Sequence, residues 1–278
     1  MEKIFKSAVV GMGGIGNQHA TCIQNDALAE LVAVCDLNKQ RADDAAEKFK
    51  VPAFYSLKEM LLAHPEIEVV HVTTSGFENG SWHFVPAMEA LDAGKHVLVE
   101  KPISNNIEEA RQMVEFAARK NLYLGCNLNH YFSGPAFRAD ELMANDSIGE
   151  QVYALTKVGF DGSAVNVARA DKFSRMNMPY AHAKAFLTHP FSVMRHYCGD
   201  ISHIQCFMEK PGARRQSEDL MMSITSVHMK FENGCVGYML SQRGDANFGL
   251  GGWWSFELAG THGTFCIENC VEKLTYWK

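Results

Sequence analysis

The sequence predicts an α/β protein in two parts. The first is a parallel sheet with helices on both faces. The second is an α+β domain with an open, mostly antiparallel sheet. Three observations predict this. Residues 4–125 alternate short apolar runs with helical patterns, which is the signature of buried parallel strands joined by helices. A glycine-rich turn stands between the first strand and the first helix. After about residue 125 the pattern changes to strands with apolar–polar alternation, so the expected domains are 1–124 and 125–278.

The elements follow in order. IFKSAVVG predicts a strand, GNQHATCIQN a helix and LVAVCD a second strand. KQRADDAAEKF has helical spacing, with Ala42, Ala45, Ala46 and Phe49 on one side. LKEMLLA is a short helix and EVVHVTT a strand; WHFVPAMEALDAG is a helix closed by Gly94. HVLVE is a strand, IEEARQMVEFAARKN an amphipathic helix opened by Ser104 to Asn106, and NLYLGCN a strand. GPAFRADELMAND predicts one more helix. The remainder is mainly strands: QVYALTKVGF, ISHIQCFME, MSITSVHMKFENG, CVGYMLSQ, WWSFELAG and GTFCIEN. Glu232-Asn233-Gly234 marks a hairpin.

Bulk properties narrow the function. The 278 residues allow one large or two ordinary domains, and 47% apolar with 21% charged residues is the balance of a globular chain. A net charge of −6 without a basic run favours neither nucleic acid nor an anionic membrane as partner. No apolar run approaches the roughly 20 residues that span a bilayer. The start, MEKIFKSAVVG, is too short an apolar stretch for a secretory signal. Eight scattered cysteines without a CxxC pair suggest free thiols in a reducing cytoplasm; Cys266 and Cys270 lack the second pair that zinc would need.

The glycine turn carries the first chemistry. Gly11-Met12-Gly13-Gly14-Ile15-Gly16 follows the first strand and opens a helix. Glycines there let backbone N–H groups approach a pyrophosphate at a helix N-terminus. The second strand ends in Asp36, about 20 residues after Gly16, where a carboxylate can accept both ribose hydroxyls of an adenosine. That carboxylate repels a 2′-phosphate, which favours NAD over NADP; Lys39 and Arg41 are near enough in sequence to soften the repulsion and leave NADP open.

The second signal is HVLVEKPIS, residues 96–104, a buried strand finishing in Glu100, Lys101 and Pro102. With this stretch the chain resembles the glucose-fructose oxidoreductase, inositol dehydrogenase and MocA family over nearly its whole length. The resemblance rests on the glycine turn, on Asp36, and on Thr74-Ser75 where the family usually has Thr-Pro. His83, then Ala90-Leu91-x-Ala93-Gly94-Lys95-His96-Val97, Glu100-Lys101-Pro102 and Gly260-Thr261-x-Gly263 continue it. It implies a Rossmann-like domain that binds NAD, or NADP, through Gly11 to Gly16, Asp36, Thr74, Ser75, Glu100, Lys101 and Asn129. It also implies a second domain that covers a sugar or polyol substrate and forms a homo-oligomer, dimer or tetramer, through its sheet. In that family the lysine of Glu-Lys-Pro lies beside the nicotinamide and contacts the substrate oxygen, a position in a partly dry cleft suited to proton exchange with an alcohol.

A third signal lies in AHAKAFLTHPFSVMRHYCGD, residues 181–200. Pro190 suits the first position of a helix and Gly199 its end, which leaves His189 at the N-terminal edge. There the helix dipole disfavours imidazolium, and a neutral ring could take a substrate proton. His189 also falls where the family carries its catalytic histidine, but the aspartate usual four residues earlier is Ala185. Lys184 and His182 are near enough in sequence to substitute for it. His182, His189, His196 and His203 recur every seven residues without an accompanying carboxylate, so no metal site is expected.

Asn127, Asn129 and His130 could reach the nicotinamide or substrate, with Tyr131 where the family often has arginine. The two tryptophans of FGLGGWW suggest an aromatic strand or a sugar-stacking face. The chain stops at LTYWK, earlier than many relatives. The expected activity is hydride transfer between nicotinamide and a secondary alcohol or carbonyl of a sugar, cyclitol or polyol. The alternatives are an NAD-dependent glycoside hydrolase and a non-catalytic NAD-binding regulator.

Overall fold

The computed structural model describes residues 3–74, 82–161, 187–209, 224–244, 254–269 and 271–278. Of the sequence expectations, Ser75, the stretch holding His182, Lys184 and Ala185, most of FGLGGWW, and Cys270 lie outside the described residues. The chain divides into two compact units, residues 1–127 and 128–278.

In the first unit β1 (Phe5–Val10), α1 (Gly14–Asn25), β2 (Ala29–Cys35), α2 (Lys39–Phe49), β3 (Ala53–Phe54), α3 (Leu57–Ala63), β4 (Val69–Val72), α4 (Phe84–Asp92), β5 (His96–Val99), α5 (Ile107–Arg119) and β6 (Leu124–Cys126) alternate. The sheet is wholly parallel with order β3-β2-β1-β4-β5-β6. The chain therefore leaves β1 in one direction, returns, and continues through β4 in the other. The short runs of Val, Ala and Cys are buried on both sides because neighbouring residues of a strand point to opposite faces. Ala8 and Val10 pack with Val70, Val72, Val97, Val99, Leu91 and Met113 on one face, whereas Val9 and Val34 meet Ala20, Ile23 and Phe49 on the other.

Helix starts are set by short polar side chains. Asn38 accepts from the Arg41 N–H, Ser56 from Glu59 and Asn106 from Glu108. The start of α1 differs: its cap is Gly13, with no side chain to accept a hydrogen bond.

The second unit opens with a 3-10 turn (Asn129–Phe132) and α6 (Gly134–Ala144), capped by Ser133. It continues as β7 (Gln151–Asp161), α7 (Thr188–Cys198), β8 (Ile201–Glu209), β9 (Ile224–Phe231), β10 (Val236–Gly244), β11 (Trp254–Gly260), β12 (Thr264–Glu268) and β13 (Lys273–Trp277). The sheet order is β13-β12-β11-β7-β10-β9-β8. All pairings are antiparallel except β7 with β10. Met194 and Tyr197 of α7 pack on Phe231, Met239, Phe256 and Phe265 of one sheet face. The expected hairpin joins β9 to β10, with Gly234 at φ 92°, a conformation that favours glycine.

Two elements differ from expectation. The helix α7 begins at Thr188, so Pro190 is its third residue rather than its first. Proline fits there equally, because the first four N–H groups of a helix have no intrahelical acceptor. LTYW, unassigned from sequence, forms β13 at a sheet edge.

Candidate functional site

The glycine turn is held from beneath. The Gly11 N–H donates to the Cys35 carbonyl at 2.8 Å, and the Thr73 hydroxyl donates to the Gly11 carbonyl at 2.8 Å. Gly11 has φ 98°, and a Cβ there would stand 2.6 Å from the Thr74 nitrogen. A Cβ on Gly16 would meet the Gly11 carbonyl oxygen at 2.0 Å. These two glycines permit the tight turn and the close approach of helix to strand. Gly13 and Gly14 differ, since a Cβ on either meets nothing within 4 Å. They border open space at the uncapped start of α1.

Asp36 is fixed beside this turn. One carboxylate oxygen accepts the Met12 N–H at 2.7 Å and the other the Asn38 N–H at 2.8 Å. Each oxygen keeps a further lone pair. A dinucleotide fits these residues: bare helix N–H groups over open space for a pyrophosphate, and an oriented carboxylate for a ribose. Gly11, Met12, Gly13, Gly14, Ile15, Gly16 and Asp36 are thus brought together as the spacing implies.

Beyond the strand ends on the other side of β1 lies a polar cluster. Glu100 follows β5. One of its carboxylate oxygens accepts from Asn127 at 2.5 Å and lies 3.0 Å from His19 Nε2; the other accepts the Lys101 N–H at 3.3 Å. Burial acts against the charge of Glu100, but the hydrogen bonds from His19 and Asn127 outweigh it and hold the carboxyl below its usual range. His19 in turn lies 3.0 Å, Nδ1 to Nδ1, from His71 of β4. Burial, reinforced by His19, pushes the His71 imidazole down to about 4. Burial likewise pushes the Cys126 thiol up to about 12, so that thiol is no nucleophile.

His83 ties two loops. Its ring nitrogens lie 2.9 Å from the Pro102 carbonyl and 2.9 Å from the Thr74 carbonyl. A neutral ring satisfies one acceptor, and imidazolium satisfies both. Burial dominates and lowers its pKa. The Thr74 hydroxyl donates to the Trp82 carbonyl at 2.9 Å, so this predicted residue is engaged within its own loop.

In the second unit His189 sits in the first turn of α7 and stacks on His130 of the 3-10 turn, with ring centroids 4.2 Å apart and planes within 6°. Trp254 packs on the other ring at 4.1 Å. The Trp254 indole N–H is buried and meets no acceptor among the described residues. Asn129 begins the same turn as His130. His196 pairs with Asp140 at 2.8 Å, and His203 is exposed on β8, so the described members of the sevenfold series, His189, His196 and His203, have separate surroundings. Sequence reasoning missed His19, His71, Thr73 and the network role of Asn127. The spacing of His19, three residues past Gly16, was its only signal.

A wholly parallel sheet with a glycine turn and an oriented carboxylate at its point of reversal defines a dinucleotide-binding Rossmann unit. Residues 5–128 match the family model described as oxidoreductase family, NAD-binding Rossmann fold. That match covers the first unit and agrees with the sequence resemblance to the glucose-fructose oxidoreductase, inositol dehydrogenase and MocA family.

Two curated relatives give the scale of the likeness. Glucose-6-phosphate 3-dehydrogenase of Bacillus subtilis (strain 168) is 31% identical over 144 residues, 52% of this chain and 39% of the relative. The 1-carboxy-3-chloro-3,4-dihydroxycyclo hexa-1,5-diene dehydrogenase of Comamonas testosteroni is 27% identical over 233 residues, 83% of this chain and 56% of the relative. The chain therefore spans only part of these relatives' lengths. Among solved structures, the WlbA dehydrogenase from Chromobacterium violaceum, in complex with NADH and UDP-GlcNAcA, matches with a TM-score of 0.83 at 20% identity. That match covers 100% of this chain and 78% of the other, and at such identity it establishes the fold.

Proposed function

We propose that the protein is an NAD-dependent dehydrogenase acting on a secondary alcohol or carbonyl of a sugar, cyclitol or related polyol. The observation that carries this is Glu100-Lys101-Pro102 at the carboxyl end of β5, in the unit that bears the glycine turn and Asp36, with Glu100 anchored by His19 and Asn127. Ligands of open parallel sheets bind beyond the carboxyl ends of the strands, and Lys101 stands there. The named activities of the relatives, all dehydrogenations, support the same class.

The residues take the following roles. Backbone N–H groups of Gly13 to Ile15 hold the pyrophosphate and Asp36 the adenosine ribose. Among the described residues Asp36 accepts from the backbone N–H groups of Met12 and Asn38 rather than from a cation, which favours NAD over NADP. When bound, the nicotinamide supplies a two-electron hydride acceptor. Lys101 polarises the substrate oxygen, and His189 takes up the hydroxyl proton in its neutral form. Glu100 acts as the anchor of the Lys101 backbone. Asn129, Thr74 and Ser75 complete the cofactor contacts.

The second unit supports a further assignment, assembly through its sheet. Strand register puts Tyr153, Leu155, Val236 and Phe207 on one face, and all four are exposed. An apolar sheet face of this kind fits a homo-oligomer interface.

The test is a thermal-shift screen with NAD, NADP and a sugar–polyol library, followed by absorbance at the NADH band on the hits. Replacing Lys101 with Ala should lower turnover by about 100-fold or more while NAD binding persists. Turnover equal to that of the unaltered chain would remove Lys101 from the chemistry.

A further inference from the structure

The histidine pair behind Glu100 has a proton arrangement that its partners dictate. Glu100 is ionised, and a carboxylate only accepts. His19 Nε2, 3.0 Å from it, therefore carries a proton. In a neutral ring Nδ1 then presents a lone pair. His71 Nδ1 lies 3.0 Å from that nitrogen, so in the neutral pair His71 donates from Nδ1. The two ring planes stand at 88° with centroids 5.3 Å apart, a geometry compatible with an N–H of one ring directed at the in-plane lone pair of the other. Burial keeps His71 in its neutral form, consistent with a single N–H placed at Nδ1.

The arrangement joins four elements. His71 belongs to β4, His19 to α1, Glu100 follows β5 and Asn127 follows β6. Strand alternation explains how His71 gets there: Val70 and Val72 enter the apolar cluster on one face, which turns His71 to the other, beside Val9 and Leu98 in register. An imidazole within a valine strand is costly unless its N–H finds an acceptor. His19 is that acceptor. His19 is itself 8% exposed; its Nδ1 meets His71, and its Nε2 meets Glu100 at 3.0 Å and, more distantly, the Asn127 amide nitrogen at 3.3 Å. Glu100 then accepts the N–H of Lys101, the residue assigned to the substrate oxygen.

We propose that His71 and His19 form a two-imidazole buttress, with protons at His71 Nδ1 and His19 Nε2, that positions Glu100 and through it Lys101 for turnover. Both histidines are positioning residues and act through Glu100. The turnover part rests on the dehydrogenase function proposed above; the proton arrangement does not.

The experiment has two arms on the 278-residue chain. In the first, histidine ring nitrogens are labelled with 15N and read by NMR at neutral pH. The expected result is one neutral ring protonated at Nδ1 and assigned to His71, and one protonated at Nε2 and assigned to His19. In His71→Leu, which fits a valine-rich strand, the His19 Nδ1 resonance should shift as its hydrogen bond is lost, while the proton stays on Nε2 against Glu100. A His19 proton on Nδ1, an imidazolium at His19, or an unchanged His19 signal in His71→Leu overturns the buttress.

In the second arm, His71→Leu should lower kcat by about tenfold or more, with NAD affinity and substrate KM unchanged. His71→Asn places an amide N–H where Nδ1 stood and should restore most of the loss. Equal kcat in His71→Leu and the unaltered chain, or no recovery with Asn in a variant whose circular dichroism is unchanged, overturns the positioning role. Absence of turnover on every polyol fails the dehydrogenase assignment instead, and the NMR arm still decides the proton arrangement.

Discussion

At the scale of single residues, the first unit keeps its charge where hydrogen bonds can hold it. Glu100 shows the balance: desolvation alone would raise its pKa, and two side-chain donors reverse the sign. His71 shows the opposite case, a neutral ring kept neutral by burial. A pH consequence follows. The unfolded ring titrates near 6.5 and the folded one near 4. Between those values the unfolded chain binds more protons, so stability falls as pH drops through that window. At about 1.4 kcal/mol per unit, the loss is bounded at roughly 3 kcal/mol. Urea denaturation between pH 7 and pH 4 should show it, and His71→Leu should flatten this part of the profile.

At the scale of elements, the turn between β1 and α1 separates glycines that fold the chain from glycines that leave room. Gly16 packs against the Gly11 carbonyl, and a side chain there has nowhere to go. Gly16→Ala should destabilise the first unit by about 1–3 kcal/mol, measured by thermal or chemical unfolding. Gly13 faces open space at the uncapped helix start. Gly13→Ala should fold normally and weaken NAD binding, seen as a reduced thermal shift with NAD. Equal effects of the two substitutions on stability would dissolve the distinction. In the second unit, the element that matters is α7, whose first turn brings His189 onto His130 under Trp254.

At the scale of the whole molecule, two units divide the labour. One has the glycine turn and oriented carboxylate of a dinucleotide holder; the other offers a sheet with one face packed by α7 and an opposite face on which Tyr153, Leu155, Val236 and Phe207 are exposed. Leu155, in the middle strand of that sheet, is the sharpest probe of assembly. For the assembly proposed through this face, Leu155→Glu should lower the mass read by light scattering after size exclusion, with little change in the fold of either unit. An unchanged mass would leave the sheet face outside the interface. Among the described residues no helix is long and apolar enough to cross a membrane.

Much of this was legible in the sequence because it is local. Alternating strand and helix periods mark both sheets, the glycine spacing and Asp36 mark the dinucleotide turn, and Glu100-Lys101-Pro102 marks the strand end beyond which ligands bind. Each depends on residues within about one supersecondary unit of one another. The histidines were not legible in this way. His19 and His71 are 52 residues apart and His19 and Glu100 are 81 apart, and a lone histidine in an apolar run has no local partner to announce it. Likewise Asn127 was expected to reach the nicotinamide or substrate, and only its place after β6 shows it beside Glu100. The sequence by itself determined which elements form and which strand ends carry the glycine turn, Asp36 and Glu100-Lys101-Pro102. Only the tertiary structure decided which buried polar groups face one another, because hydrogen-bond partners across a sheet are chosen by strand order and register rather than by spacing along the chain.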